Sequence, residues 1–221
     1  MRHYPLLSIG VLVATLGVSA LAQNTPAKDG QVSETKGLPP RASPADYEAH
    51  AQAGPVTVAA EFKGHSVPAL DGTYSTEDFV AIETGLFGPP GTRTRLSSED
   101  FTLRVNGKKA PLSSQPCVVI FSSLKDPEWV PPEAPEQKSK TSFGGGGGGQ
   151  NDPPPLPPKM PIELQRVMQQ RVTKATLPEG DRALPQAGLI FFQYRGKTEH
   201  IRSMELIYNG PAGKATLTLH P

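Results

Sequence analysis

The residues able to do chemistry are few and scattered. Beyond residue 22 the chain has four histidines, His50, His65, His200 and His220. No two stand at a metal-ligand spacing such as H-x-x-x-H. His200 and His220 meet only if their strands pair, and two imidazoles without a nearby carboxylate or thiolate make a poor site. All four read as surface side chains. Asp71, Glu77 and Asp78, with the hydroxyls between them, offer oxygen ligands for Ca²⁺. They lack the regular alternation of ligands of an EF-hand loop, so a solvated turn is the preferred reading. Cys117 is the only cysteine and admits no intramolecular disulfide. It lies in Cys117-Val118-Val119-Ile120-Phe121 without a basic cluster to lower its pKa, which points to a buried, inert thiol. There is no G-x-S-x-G, P-loop or C-x-x-C. The run Gly144–Gly149 is not a phosphate loop, because no Lys-Ser/Thr follows it. No catalytic, cofactor-binding or metal-binding residue is assigned. One recognition pattern is present: Pro154-Pro155-Leu156-Pro157-Pro158-Lys159 has the P-x-x-P-x-K form of an SH3 ligand. A proline-rich spacer produces the same pattern by composition alone, and that is the preferred reading.

The elements that must position these groups begin with a leader. Residues 1–22 read as a secretory signal peptide: basic Arg2, an apolar run over Leu6–Leu21, and Ala20-Leu21-Ala22 as an A-x-A site before Gln23. An uncleaved membrane anchor is the alternative, disfavoured because the run is short and interrupted by Ser8, Gly10, Thr15, Gly17 and Ser19. Export to the periplasm or the extracellular space follows, with no stable membrane insertion once the leader is removed. The whole chain carries 22 basic and 21 acidic residues; losing Arg2 leaves 21 against 21. That balance gives no basic footprint for nucleic acid.

Residues 23–55 are polar and rich in Pro, Gly and Ala, and are expected to form a mobile arm. Within it, Ser43-Pro44-Ala45-Asp46 offers an N-cap, a proline at the first helical position and an acid at N3, so a short helix over 45–53 is weighed against no structure. Residues 56–221 read as one β-rich domain. Its strands are Val56–Phe62, Phe79–Phe87, Phe101–Val105 closed by Asn106-Gly107, the apolar run Cys117–Phe121, Gly188–Tyr194, Ser203–Tyr208, and the strictly alternating Lys214–Leu219. Asn209-Gly210 is taken as the last hairpin turn. The stretch 122–160, with its glycines and prolines, is expected to be a disordered insertion. In the helix expected over 161–175, Leu164, Val167, Met168, Val172 and Ala175 share a face, to be packed on an open end of the domain. Phe191 and Phe192 are adjacent and must leave opposite faces of their strand. Ile190 and Phe192 are assigned to the main core, and Phe191 to the underside of a covering element.

Seven such strands and one helix predict an immunoglobulin-like antiparallel β-sandwich. The stretches Tyr74–Phe87, Ser97–Lys108 and Ala187–Tyr208 carry a resemblance to the telokin-like, immunoglobulin-like extracellular domains of bacterial secreted proteins. The resemblance covers about two thirds of the chain beyond the leader. It implies a fold and an exported location and transfers no catalytic residue. The chain departs from the antibody-type pattern in having no cysteine pair and in placing Trp129 among prolines. Two function classes stay open. One is a non-enzymatic exported domain that binds or scaffolds an envelope protein or surface polymer. The other is a hydrolase or metal-dependent enzyme with a site built from loops such as Asp71–Asp78 and Glu99–Asp100.

The leader makes the first prediction. Protein purified from its native host should begin at Gln23, because the A-x-A site ends at Ala22. N-terminal sequencing that returned an intact Met1 would overturn it.

Overall fold

The computed structural model describes residues 36–132 and 159–221. The leader, the first part of the expected arm, the glycine run and most of the P-x-x-P tract lie outside the described residues.

The described chain is mainly antiparallel β. In order it forms β1 (Ala49–Ala53), β2 (Val56–Gly64), β3 (Ser66–Ala69), β4 (Gly72–Thr76), β5 (Phe79–Phe87), β6 (Arg93–Leu96), β7 (Phe101–Val105), β8 (Leu112–Gln115), α1 (Cys117–Ile120) and β9 (Leu124–Lys125). Then come α2 (Ile162–Ala175), β10 (Gly180–Ala183), β11 (Gln186–Gln193), β12 (Met204–Gly210) and β13 (Gly213–Leu219). Eight strands make one sheet in the order β1-β2-β5-β11-β8-β7-β12-β13. Its two outer strands, β1 and β13, lie beside each other, so the sheet coils into a nearly closed barrel. The backbone N–H of His220 donates to the Glu48 carboxylate across that seam. Two smaller sheets are β6 with β10, and β3-β4-β9.

Alternation along the strands fills the barrel. Val56, Val58 and Ala60 of β2, Val80, Ile82 and Leu86 of β5, Phe101, Leu103 and Val105 of β7, and Ala215, Leu217 and Leu219 of β13 all enter one core. β11 is buried on both faces. Ile190 and Phe192 point into this core, while Leu189 and Phe191 point outward into a second one. The second core is roofed by Met168, Val172 and Ala175 of α2, with Val67 and Tyr74 of the β3-β4 hairpin and Ile120 and Leu124 from the α1–β9 stretch. The division expected for the two phenylalanines is therefore the one observed. The helix lies over the outer face of β5 and β11 and not over an open end. Leu177 N–H donates to the Leu189 carbonyl at 3.0 Å. This approach requires Gly188, where a Cβ would stand 2.4 Å from Leu177 backbone atoms.

Several expectations are corrected. The helix weighed over 45–53 is a single 3-10 turn, Pro44–Asp46, capped by Ser43 and Asp46 as a capping box. Ala49–Ala53 then pairs with β2 through a two-residue Gly54-Pro55 turn, with Gly54 at φ +59. The cap signal is local, and the offered ladder along β2 overrides its continuation. Part of the segment assigned to an arm is thus sheet. Cys117–Phe121 is not a strand: Cys117–Ile120 is a helical turn, with only Ile120 buried and Val118 67 % exposed. A short apolar run does not distinguish the two by periodicity. The free edge of β11 is already taken, by β8 at Phe191 and Phe192 and by Thr176 at Leu189. The front of the expected insertion is also structured, since Leu124–Lys125 pairs with β4. The last hairpin turns at Pro211-Ala212, with Asn209 and Gly210 still in β12.

Phe192→Ala should cost about 3–5 kcal/mol, since the barrel wall cannot collapse into the cavity. Phe191→Ala should cost less, because α2 is a separate layer that can settle inward. Chemical denaturation of both variants checks this. Negligible losses in both would mean that neither face of β11 is core.

Candidate functional site

A trough runs along one side of α2. Gln165, Gln169 and Thr173 recur at i, i+4 and i+8 and so form one stripe of the helix, its wall, with Thr176 just past the helix end. Three adjoining cavities follow this stripe, of about 570, 410 and 310 Å³. The first two share Phe121 and Gln169, and the last two share Lys36 and Thr173, so the three adjoin in a row. Its wide end is lined by Phe121, Leu124, Trp129, Met160 and Met168. Its middle is lined by Lys36, Arg166 and Lys174. The far end reaches Cys117, Glu179 and Arg182.

The wall is partly committed to the helix itself. The Gln165 side-chain amide donates to the Met160 carbonyl at 2.8 Å. Thr173 Oγ1 donates to the Gln169 carbonyl at 2.7 Å and Thr176 Oγ1 to the Thr173 carbonyl at 2.8 Å. Cys117 Sγ lies 3.9 Å from Thr173 Oγ1. Burial pushes the thiol up to about 11, against a smaller downward pull from Thr173. Cys117 is half-buried against the second core and not within it as expected, and its raised pKa fits an inert thiol.

Apart from Cys117, the residues singled out in the sequence are not gathered in the trough. Glu77 is ion-paired with Lys125, Asp78 with Arg195 at 3.0 Å, and Asp71 with Arg171 at 3.9 Å. The Lys125 ammonium, hydrogen-bonded to Glu77, draws that carboxyl below its ordinary range. Three acids engaged by three separate cations do not converge on an ion. Asp100 is pushed up by burial, partly offset by Arg95. Among the described residues no group of three His, Cys, Asp or Glu side chains is placed to hold a metal. His220 Nδ1 sits 3.1 Å from Glu48 Oε1. His65 is more than a surface side chain: its ring is half-buried, with Nδ1 2.8 Å from the Phe79 carbonyl and Nε2 2.9 Å from the Gly196 carbonyl, so it ties the start of β5 to the loop after β11.

A second charged cluster is structural. Glu83 on the outer face of β5 is 7 % exposed and receives Arg41 through two hydrogen bonds, Nε to Oε1 at 3.1 Å and Nη2 to Oε2 at 2.9 Å. Lys63 lies 3.1 Å from the same carboxylate and 2.6 Å from Glu61, which also meets Arg41. Burial alone would raise the Glu61 carboxyl, but Lys63 and Arg41 outweigh it and hold it low. The Arg41 guanidinium stands 4.4 Å over the Tyr47 ring. Every charge here has a partner, so the cluster fastens the segment before β1 to the barrel and leaves nothing for a ligand.

Trp129, Met160 and Gln169 were not anticipated as site residues. The sequence signals for them are faint: a tryptophan among prolines, and a polar helical stripe that reads as solvent-facing. Comparison of the chain with protein-family models, with curated proteins and with solved structures finds no match.

The raised Cys117 pKa predicts slow alkylation. At pH 8 an ordinary thiol near 8.5 is about one quarter thiolate, while one near 11 is roughly a thousandth. The greater nucleophilicity of the more basic thiolate recovers about a factor of ten. Iodoacetamide should therefore modify Cys117 at least tenfold more slowly than free cysteine, with the rate still rising above pH 9. A rate equal to that of free cysteine would show the thiol to be activated.

Proposed function

We propose that this protein is an exported, non-enzymatic β-domain that binds a macromolecular partner in the cell envelope, an envelope protein or a surface polymer, through the trough beside α2. The trough carries this reading. It is long, open, partly apolar and lined from several separated parts of the chain, which suits an elongated partner better than a small substrate. The barrel behind it gives a rigid wall, as binding sites on packed elements require. The resemblance of Tyr74–Phe87, Ser97–Lys108 and Ala187–Tyr208 to telokin-like, immunoglobulin-like extracellular domains supports the same reading, and the apolar leader supports export. An enzymatic reading would need the acids of Asp71–Asp78 or Glu99–Asp100 to converge. The first three are drawn to Arg171, Lys125 and Arg195 instead.

The test is capture from the protein's own cell envelope, comparing wild type with Trp129→Ala. Trp129 lies on an irregular stretch outside both cores, so the variant should keep its melting temperature. Wild type should retain a discrete component that the variant releases. An identical set of captured components from both proteins would remove the trough from consideration.

A further inference from the structure

We propose that the trough takes an extended acidic peptide segment carrying a bulky apolar side chain. The apolar group enters the chamber beside Trp129, and the carboxylates meet the stretch of Lys36 and Arg166. This rests on the reading of the trough as a binding site and adds the chemistry of its occupant.

The wide end sets the apolar requirement. Its walls include two aromatic rings, Phe121 and Trp129, and two thioethers, Met160 and Met168. Aromatic faces and adaptable methionines suit a large side chain of variable shape. The volume of about 570 Å³ exceeds what one side chain fills and leaves room for its backbone. Lys125, paired with Glu77, and Asp126 also line this end.

The middle sets the charge. Lys36, Arg166 and Lys174 line it together with Gln169, Gln170 and Thr173, and no Asp or Glu is among the described lining residues. Arg166 does meet Glu163, at 3.3 Å, but both side chains are more than half exposed. An exposed pair of this kind is weak and exchangeable, so an incoming carboxylate can compete for the guanidinium. A concave surface lined by one sign of charge attracts the other. The far end is mixed, with Glu179 opposing Arg182 and Lys36, so the acidic preference belongs to the middle.

The wall sets the extended form. The side chain of Gln169 makes no hydrogen bond among the described residues, while those of Gln165, Thr173 and Thr176 are committed. One unclaimed amide at the junction of the two cavities offers both a donor and an acceptor to a passing backbone. The chamber and the positive stretch adjoin at Phe121 and Gln169, so one extended segment with an apolar anchor and acids a few positions away reaches both. A nucleic-acid strand fits less well, because the positive stretch is confined to one cavity and the chain beyond the leader is balanced in charge.

The probe is a fluorescein-labelled, capped peptide, Asp-Glu-Gly-Phe-Leu-Gly-Glu-Asp, which places an acid three positions from an apolar residue in either direction. Fluorescence polarisation against the full chain should show binding at least tenfold tighter than to Lys-Lys-Gly-Phe-Leu-Gly-Lys-Lys or to Asp-Glu-Gly-Ala-Ala-Gly-Glu-Asp. Arg166→Glu and Trp129→Ala should each weaken it tenfold or more without lowering the melting temperature, and added salt should weaken it further. Equal binding of the three peptides, or full binding by Arg166→Glu, would overturn the proposal. Envelope capture separates the two levels. If Trp129→Ala loses its captured component while the acidic peptide fails to bind, the ligand chemistry is wrong and the trough stands. If capture is unchanged as well, the trough falls with it.

Discussion

The architecture depends on one steric fact: adjacent residues of a strand cannot share a face. Phe191 and Phe192 stand side by side in β11, the fourth strand of the hydrogen-bonded order counted from β1, flanked along its whole length by β5. Burying Phe192 in the barrel turns Phe191 outward. Leaving that ring in water would forgo about 2–3 kcal/mol of burial, and its neighbour Leu189 adds a comparable amount. A second layer must therefore cover the outer face of β5 and β11. The residues that do so are Met168, Val172 and Ala175, one helical stripe, joined by Val67, Tyr74 and Leu124 from the small sheet. Gly188 completes the arrangement by letting the chain after α2 touch the strand without a side chain between them.

The remaining outer surface of the barrel is covered by different chemistry. Where α2 covers β11 with apolar groups, the outward face of β2 and β5 carries Glu61, Lys63 and Glu83, and the segment before β1 closes over it with Arg41 and Tyr47. Networks of this kind add little net stability over an apolar replacement, because two or more charges must be desolvated. What they supply is position. A bidentate guanidinium on a nearly buried carboxylate admits one orientation, and this fixes where the chain enters β1. The Glu48 contact with His220 then bridges the two outer strands of the same sheet.

The strands that were legible in the sequence are those whose alternation is complete, such as Lys214–Leu219 and Phe101–Val105, together with the doubly buried β11. The helix was legible because Met168, Val172 and Ala175 recur at its period. What escaped was set by partners and not by pattern. Ala49–Ala53 has no large residue and becomes a strand because β2 offers a ladder. Gly180–Ala183 is exposed at every position and pairs with Arg93–Leu96 without any burial signal. Leu164 and Val167 carry the helical period yet stay largely exposed, since the covered face begins only at Met168. The trough was illegible for a further reason. It joins Lys36, Phe121, Trp129 and Gln169, residues that only the fold brings together.

The misread run at Cys117–Phe121 explains why a trough exists at all. Had it continued as a strand, it would have extended the layer beside α2 and closed the space between them. It does not, because the edge of β11 is occupied, and Pro116 sets the chain into a helical turn at once. That turn is four residues long, about 6 Å, whereas α2 runs for fourteen residues, about 21 Å. A short helix cannot flank a long one along its length. The chain beyond Ile120 runs past the wide end from Phe121 to Asp126, pairing Leu124 with Thr76 on the way, and Trp129 adds to the same lining. The gap left between this stretch and α2 is the chamber, and its lining is partly apolar because Leu124 and Met168 belong to the same second core that Phe191 required.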